Sequence, residues 1–131
     1  MDFQIVNKTL VISEGTTELH FKDIRNIFSK IEIEEVSLPS TIKVICDDTF
    51  FDYPGIKRIN IPMSVQCIGA RAFWGLDDLE EIFLPGTIQS VGRHAFCNCV
   101  KLKITIIGSN ETIPAGWDKE FAINVKEICF Q

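Results

Sequence analysis

The chain has 131 residues, 46% of them hydrophobic and 24% charged, and a formal net charge of −5 from 13 basic and 18 acidic side chains. That composition excludes a disordered or collagen-like polymer. It also supplies no cationic surface for a phosphate backbone or an anionic membrane, so nucleic acid is not expected as a partner. No apolar run approaches the ~20 residues that span a bilayer. The opening Met1-Asp2-Phe3-Gln4 lacks the basic and apolar regions of an export signal, so no transmembrane segment and no signal peptide are expected in this chain.

In chain order, Phe3-Gln4-Ile5-Val6 and Thr9-Leu10-Val11-Ile12 flank Asn7-Lys8 and predict a hairpin. A degenerate unit follows, with Leu19, Ile27 and Ile33 at roughly repeating positions, and residues 1–32 read as an N-terminal cap. From residue 33 a period of 23 is plain in several independent columns: Pro39, Pro62 and Pro85; Phe50, Phe73 and Phe96; Gly69 and Gly92; Ile42, Val65 and Ile88. Before each proline the residues alternate, as in Ile59-Asn60-Ile61 and Ile82-Phe83-Leu84, the two-residue period of a strand with one buried face. Proline has no N–H to donate and ends the ladder. A second apolar stretch follows it, such as Val65-Gln66-Cys67-Ile68, and then a glycine turn and an Ala-Phe pair that plugs the interior.

In the copy beginning at Leu102 the strict period would turn Thr105 inward. A slip of one residue turns Ile104 and Ile106 inward instead, and it is expected because it buries two aliphatic side chains rather than a hydroxyl. Regular repeats are expected over 33–107. Residues 108–131 are expected to hold a C-terminal cap, closed by bulky groups of Ile113-Pro114-Ala115-Gly116-Trp117 and Phe121, and a last strand at Val125–Phe130. Such units cannot bury their apolar face alone, and identical strands stack most simply as a parallel sheet along one side of a solenoid.

The stretch Ile61-Pro62-Met63-Ser64-Val65-Gln66-Cys67-Ile68-Gly69-Ala70-Arg71-Ala72-Phe73, with Leu76 and Leu79, resembles the BspA-like, or treponemal-type, leucine-rich repeat. Residues 84–102 repeat it, with Cys99 on the family's cysteine position. The unit from Val36 to Ile56 matches with Cys46 in place of the glycine and Thr49 in place of the alanine. The resemblance implies one leucine-rich-repeat solenoid over 1–131, with a short parallel strand in each 23-residue coil and caps at both ends. It further implies a non-catalytic module that binds protein or glycan without a cofactor, of the adhesion type found at cell surfaces or secreted.

Chemistry-bearing side chains are few. His94, Cys97 and Cys99 are three soft ligands within six residues, but Cys99 and the Ala95-Phe96 pair fill interior repeat positions, and no fourth ligand lies at a metal-like spacing. A Cys-His nucleophile would need a cleft and an orienting third group, which a turn on a solenoid flank does not offer. The sequons Asn7-Lys8-Thr9 and Asn110-Glu111-Thr112 are too short to decide anything. The five cysteines are odd in number and scattered over different columns, so they read as free thiols.

The strand face is more informative. Its charged columns read Glu34, Lys57, Glu80, Lys103, Lys126 and Glu35, Arg58, Glu81, a break, Glu127, so opposite charges would face one another across strands ~4.8 Å apart and fix the register. Between them runs the outward column Ser37, Asn60, Phe83, Thr105 and Cys129. An exposed aromatic beside polar neighbours suits a partner anchor, and Ser37, Arg58, Asn60, Glu81 and Phe83 are the expected contact residues. Five strands at that spacing, about three exposed residues wide, cover about 200 Å². That is well short of the roughly 800 Å² per partner of a standard interface, so loops, flanks, self-association or multivalency would have to contribute. The competing expectations are a structural spacer or assembly unit without a ligand, and, more remotely, a metal protein built on His94, Cys97 and Cys99.

Overall fold

The computed structural model describes residues 1–28 and 31–131, and so all of the expected N-terminal cap except Ser29 and Lys30. Strands β1 (Phe3–Val6) and β2 (Thr9–Ile12) pair antiparallel in the register Phe3↔Ile12 to Val6↔Thr9. Asn7 and Lys8 between them both have positive φ, 49° and 65°. That is the backbone of a two-residue type I′ turn, whose twist matches the strands it joins.

After β3 (Glu18–Leu19) comes an element the repeat reading did not anticipate, helix α1 (Phe21–Phe28). Ile24 and Ile27, one turn apart, bury its inner face. The Asp23 carboxylate accepts the His20 backbone N–H at 3.2 Å, while the Asp23 N–H donates to the His20 carbonyl at 3.0 Å. This reciprocal pair satisfies groups that a helix start leaves unbonded.

Three later coils contribute a strand before or at the proline and, from the second apolar stretch, another, and the C-terminal coils add two more. In chain order these are β4 (Glu35–Ser37), β5 (Val44–Ile45), β6 (Arg58–Ile59), β7 (Cys67–Ile68), β8 (Glu81–Pro85), β9 (Ser90–Val91), β10 (Lys103–Ile107) and β11 (Glu127–Phe130). Strand β8 runs one residue further than expected, through Pro85 opposite Ile107, because that rung needs no N–H from the proline. One side of the solenoid stacks β1-β2-β4-β6 and then β8-β10-β11, and the other stacks β3-β5-β7-β9 without interruption. Apart from the hairpin, every pairing is parallel.

The expected slip is present. Ile104 lies opposite Ile82 and Ile106 opposite Leu84, a step of 22 residues, and both isoleucines are fully buried. The next rung, Ile104↔Ile128, steps by 24 and restores the phase. Thr105 keeps its outward register between Phe83 and Cys129 but is buried at 5% exposure, so it does not belong to the open face.

Between the sheets runs a spine of rings: the fully buried Phe50 and Phe73 stack at 5.4 Å, Phe73 and the fully buried Phe96 at 4.9 Å, and partly buried Phe28 meets Phe50 edge-on at 6.3 Å. The coil after Phe96 has no Ala-Phe pair. Phe121 takes its place, its carbonyl accepting the Phe96 N–H at 2.8 Å and its ring meeting Trp117 edge-on. Trp117 and Phe121 close the core. Ile113, expected to share that task, is 45% exposed instead, and the Trp117 indole, anchored by Nε1–H donation to the Ile88 carbonyl at 2.8 Å, fills the space.

Candidate interaction face

β6 and β8 belong to consecutive coils, yet they are not hydrogen-bonded neighbours. The strand-face sheet is open there. Elsewhere an N–H at the foot of a strand donates to the coil before it, Lys57 to the Glu34 carbonyl at 2.7 Å and Lys103 to the Glu80 carbonyl at 2.9 Å. Across the opening the coils are tied instead by a side chain, the Asp78 carboxylate, which accepts the Gly55 N–H at 3.2 Å. The result is a groove of about 660 Å³.

Four of the five expected contact residues, Arg58, Asn60, Glu81 and Phe83, line that groove. Ser37 is exposed on β4, one rung away from its lining. Phe83 is 43% exposed on the wall formed by β8.

The charges divide unevenly. Lys57 Nζ lies 3.2 Å from Glu34 and Arg58 Nε 3.4 Å from Glu35, so both cations of β6 turn back toward β4. The hydrogen bond and charge of Lys57 hold the Glu34 carboxyl below its usual range. Among the described residues no ion pair crosses the groove from β6 to Glu80 or Glu81; Lys101 pairs with Asp78 at its edge, at 3.5 Å. The register also corrects the column order: Lys103 faces Glu81 and Glu127 rather than Glu80, which fills the apparent break and gives Glu35, Arg58, Glu81, Lys103, Glu127. Of the expected charge ladder, the rungs between β4 and β6 are closed ion pairs.

A second groove, of about 1120 Å³, lies over the uninterrupted sheet. Its floor is built from small side chains, among them Cys67, Gly69, Ser90 and Gly92, and Trp117 stands at its C-terminal end. A Cβ on Gly69 would meet the backbone nitrogen of Asp47, so close stacking of the coils requires the glycine. The outward column Val44, Cys67, Ser90 was visible at a step of 23, but without a second sheet it had no surface to belong to.

The structure disperses the group His94, Cys97 and Cys99. Cys97 Sγ bonds the Glu120 carbonyl at 3.3 Å and receives the Ile123 N–H at 3.1 Å, and Cys99 Sγ donates to the Phe73 carbonyl at 3.0 Å. Burial pushes the Cys97 thiol up and the Cys99 thiol up to about 12. His94 occupies a left-handed turn position (φ 60°) shared with Asp48 (61°) and Arg71 (55°) on the neighbouring coils. Thiols spent on backbone groups and held protonated are poor nucleophiles and poor ligands.

Stacked parallel strands with aliphatic and phenylalanine columns every coil define a leucine-rich-repeat solenoid. The chain belongs to the BspA-type leucine-rich repeat family, whose profile matches six copies over residues 17–117. Among solved structures it is similar to the leucine-rich repeat protein of T. pallidum, with TM-score 0.66, 16% identity, and coverage of 98% of this chain and 78% of that one, a likeness of fold. No curated protein matches it in sequence. Repeat domains of this class typically bind proteins and are generally non-catalytic, and the family is often surface-exposed or secreted. Among the described residues no helix is long and apolar enough to cross a membrane.

Proposed function

We propose that this protein is a non-catalytic, adhesion-type binding module at a cell surface or in secretion, whose ligand is a protein held on the strand face at the opening between β6 and β8. The observation that carries the reading is Phe83, a 43% exposed ring on the wall of a charged groove. A ring that enters a partner while polar neighbours exclude water is how a small interface concentrates its energy. Glu80 and Glu81 lack a cation from β6, which favours a partner presenting Lys or Arg. Residues 1–32, 33–107 and 108–131 act in this reading as cap, repeats and cap of one domain. Ser37 extends the contact toward β4, and self-association or many copies supply avidity where one face is too small.

The test uses a partner recovered with the intact chain and then purified. Phe83→Ala lowers its affinity at least about tenfold, as a central aromatic anchor requires. Ile113→Ala, equally exposed but outside the groove, leaves affinity unchanged. If Phe83→Ala binds as tightly as the unaltered chain, the strand face is not the site.

The volume and small-residue floor of the groove over the second sheet support a second reading, in which the ligand lies there. Cys67→Trp fills that floor and separates the two, because only the second reading predicts loss of binding. A chain that binds nothing through either groove is a spacer.

A further inference from the structure

Glu18 and His20 lie two residues apart, on β3 and just beyond it, with buried Leu19 between them, so the strand period turns both toward the outer face. The parallel register Leu19↔Ile45 then sets Cys46 beside His20 on the next rung. His20 Nε2 is 3.9 Å from Cys46 Sγ and 3.9 Å from Glu18 Oε1, and the three ligand atoms lie within 4.8 Å of one another. No other group of three such side chains converges this way among the described residues.

The direction of approach identifies what the cluster suits. In a thiol-imidazole-carboxylate catalytic set the carboxylate orients the ring from one nitrogen while the nucleophile meets the other. Here sulfur and carboxylate oxygen both approach Nε2, so three donors surround one point. A tetrahedral zinc ion with bonds of about 2.0–2.3 Å holds its ligands about 3.3–3.6 Å apart. The two 3.9 Å edges therefore close by a few tenths of an ångström and the Glu18–Cys46 edge, within 4.8 Å, by up to about 1 Å, within reach of the half-exposed His20 and Glu18 side chains. The backbone beneath is fixed: the His20 N–H is held by Asp23, and the Cys46 N–H donates to the Leu19 carbonyl at 2.9 Å. Burial, with Glu18, Asp47 and Asp23, pushes the free Cys46 thiol up. Unlike Cys97 and Cys99, however, its sulfur faces other ligand atoms rather than backbone groups, and the same carboxylates offset the charge of a cation that displaces the proton. Lys22 is a cationic side chain nearby on the groove wall.

We propose that Glu18, His20 and Cys46 form a binding site for a divalent cation of the zinc class, with its remaining coordination open at the N-terminal end of the groove over the second sheet. One sulfur, one nitrogen and one oxygen form a borderline donor set, which suits Zn(II) over Mg(II) or Ca(II).

Cobalt(II) is the probe, titrated into the reduced, chelator-treated full chain. One equivalent binds with a near-ultraviolet thiolate-to-cobalt charge-transfer band, and Zn(II) displaces it. Cys46→Ser abolishes the band, His20→Gln and Glu18→Gln each weaken binding at least about tenfold, and Cys67→Ser on the same groove changes neither. Zinc also protects Cys46 from alkylation in the unaltered chain, a readout that needs no variant. A chain that gives no band, a band that survives Cys46→Ser, or alkylation of Cys46 unchanged by zinc overturns the proposal.

Discussion

At the scale of single residues, the five cysteines show how one residue type takes different roles from its place in the coil. Cys99 fills an interior repeat position, as the alignment of coils indicated, and burial pushes its thiol up to about 12. The folded chain therefore keeps a proton that the unfolded chain gives up near the ordinary thiol pKa of about 8.5. Its contribution to stability is complete below that pH and is lost as pH rises toward about 12. Thermal unfolding followed from pH 8 to 11 should show a falling midpoint, and Cys99→Ala should flatten that fall. Cys97, raised for the same reason, leaves part of the slope in place. Cys46 shows where reading by columns stopped. A period of 23 sets His20 against Lys43, whereas the rung between β3 and β5 steps by 26 because α1 lengthens that coil. The three donors met through an insertion that no column contained.

At the scale of elements, the strands before the prolines and the slip at Ile104 were legible because each rests on a burial choice that sequence displays directly: aliphatic or hydroxyl, inward or outward. Helix α1 was not. Its eight residues carry two buried apolar positions, too short a run for helical periodicity to stand out beside strand-like neighbours. The two-residue strands β5, β7 and β9 were seen as apolar stretches and became a sheet only through pairing between coils. Pairing is also where the glycines act. Gly69→Ala drives a methyl group into the Asp47 backbone, and the separation of two hydrogen-bonded coils cannot relax freely. It should cost about 1–3 kcal/mol, the range for forced overpacking, read as a lowered urea midpoint with the slope unchanged. The strand-face opening was hidden for the converse reason: Glu80 and Glu81 look complementary to Lys57 and Arg58, and only the structure shows those cations already committed to β4.

At the scale of the whole molecule, stability is transmitted coil to coil along the phenylalanine spine. A solenoid has only nearest-neighbour contacts, so the central ring couples the two halves. Phe73→Ala should cost about 3–5 kcal/mol. It should also split one urea transition into two when the chain is followed through Trp74, stacked on Phe51 at 4.8 Å mid-molecule, and Trp117 near the C-terminal end. Coincident transitions in that variant would show that the sheets, not the rings, carry the coupling.

The unequal sides of the solenoid have a mechanical consequence. The coils of β6 and β8 are joined by backbone through the β7-β9 pairing, the Gln89 N–H to the Gln66 carbonyl and the Phe73 N–H to the Ala95 carbonyl, all away from the open strand face, where the Asp78 side chain on the Gly55 N–H supplies the tie. A stack fastened on one side and parted on the other bends most easily about its fastened side, like a book about its spine. Flexing the solenoid therefore widens or narrows the Phe83 groove before it strains any ladder, and a ligand seated there as proposed would stiffen the stack.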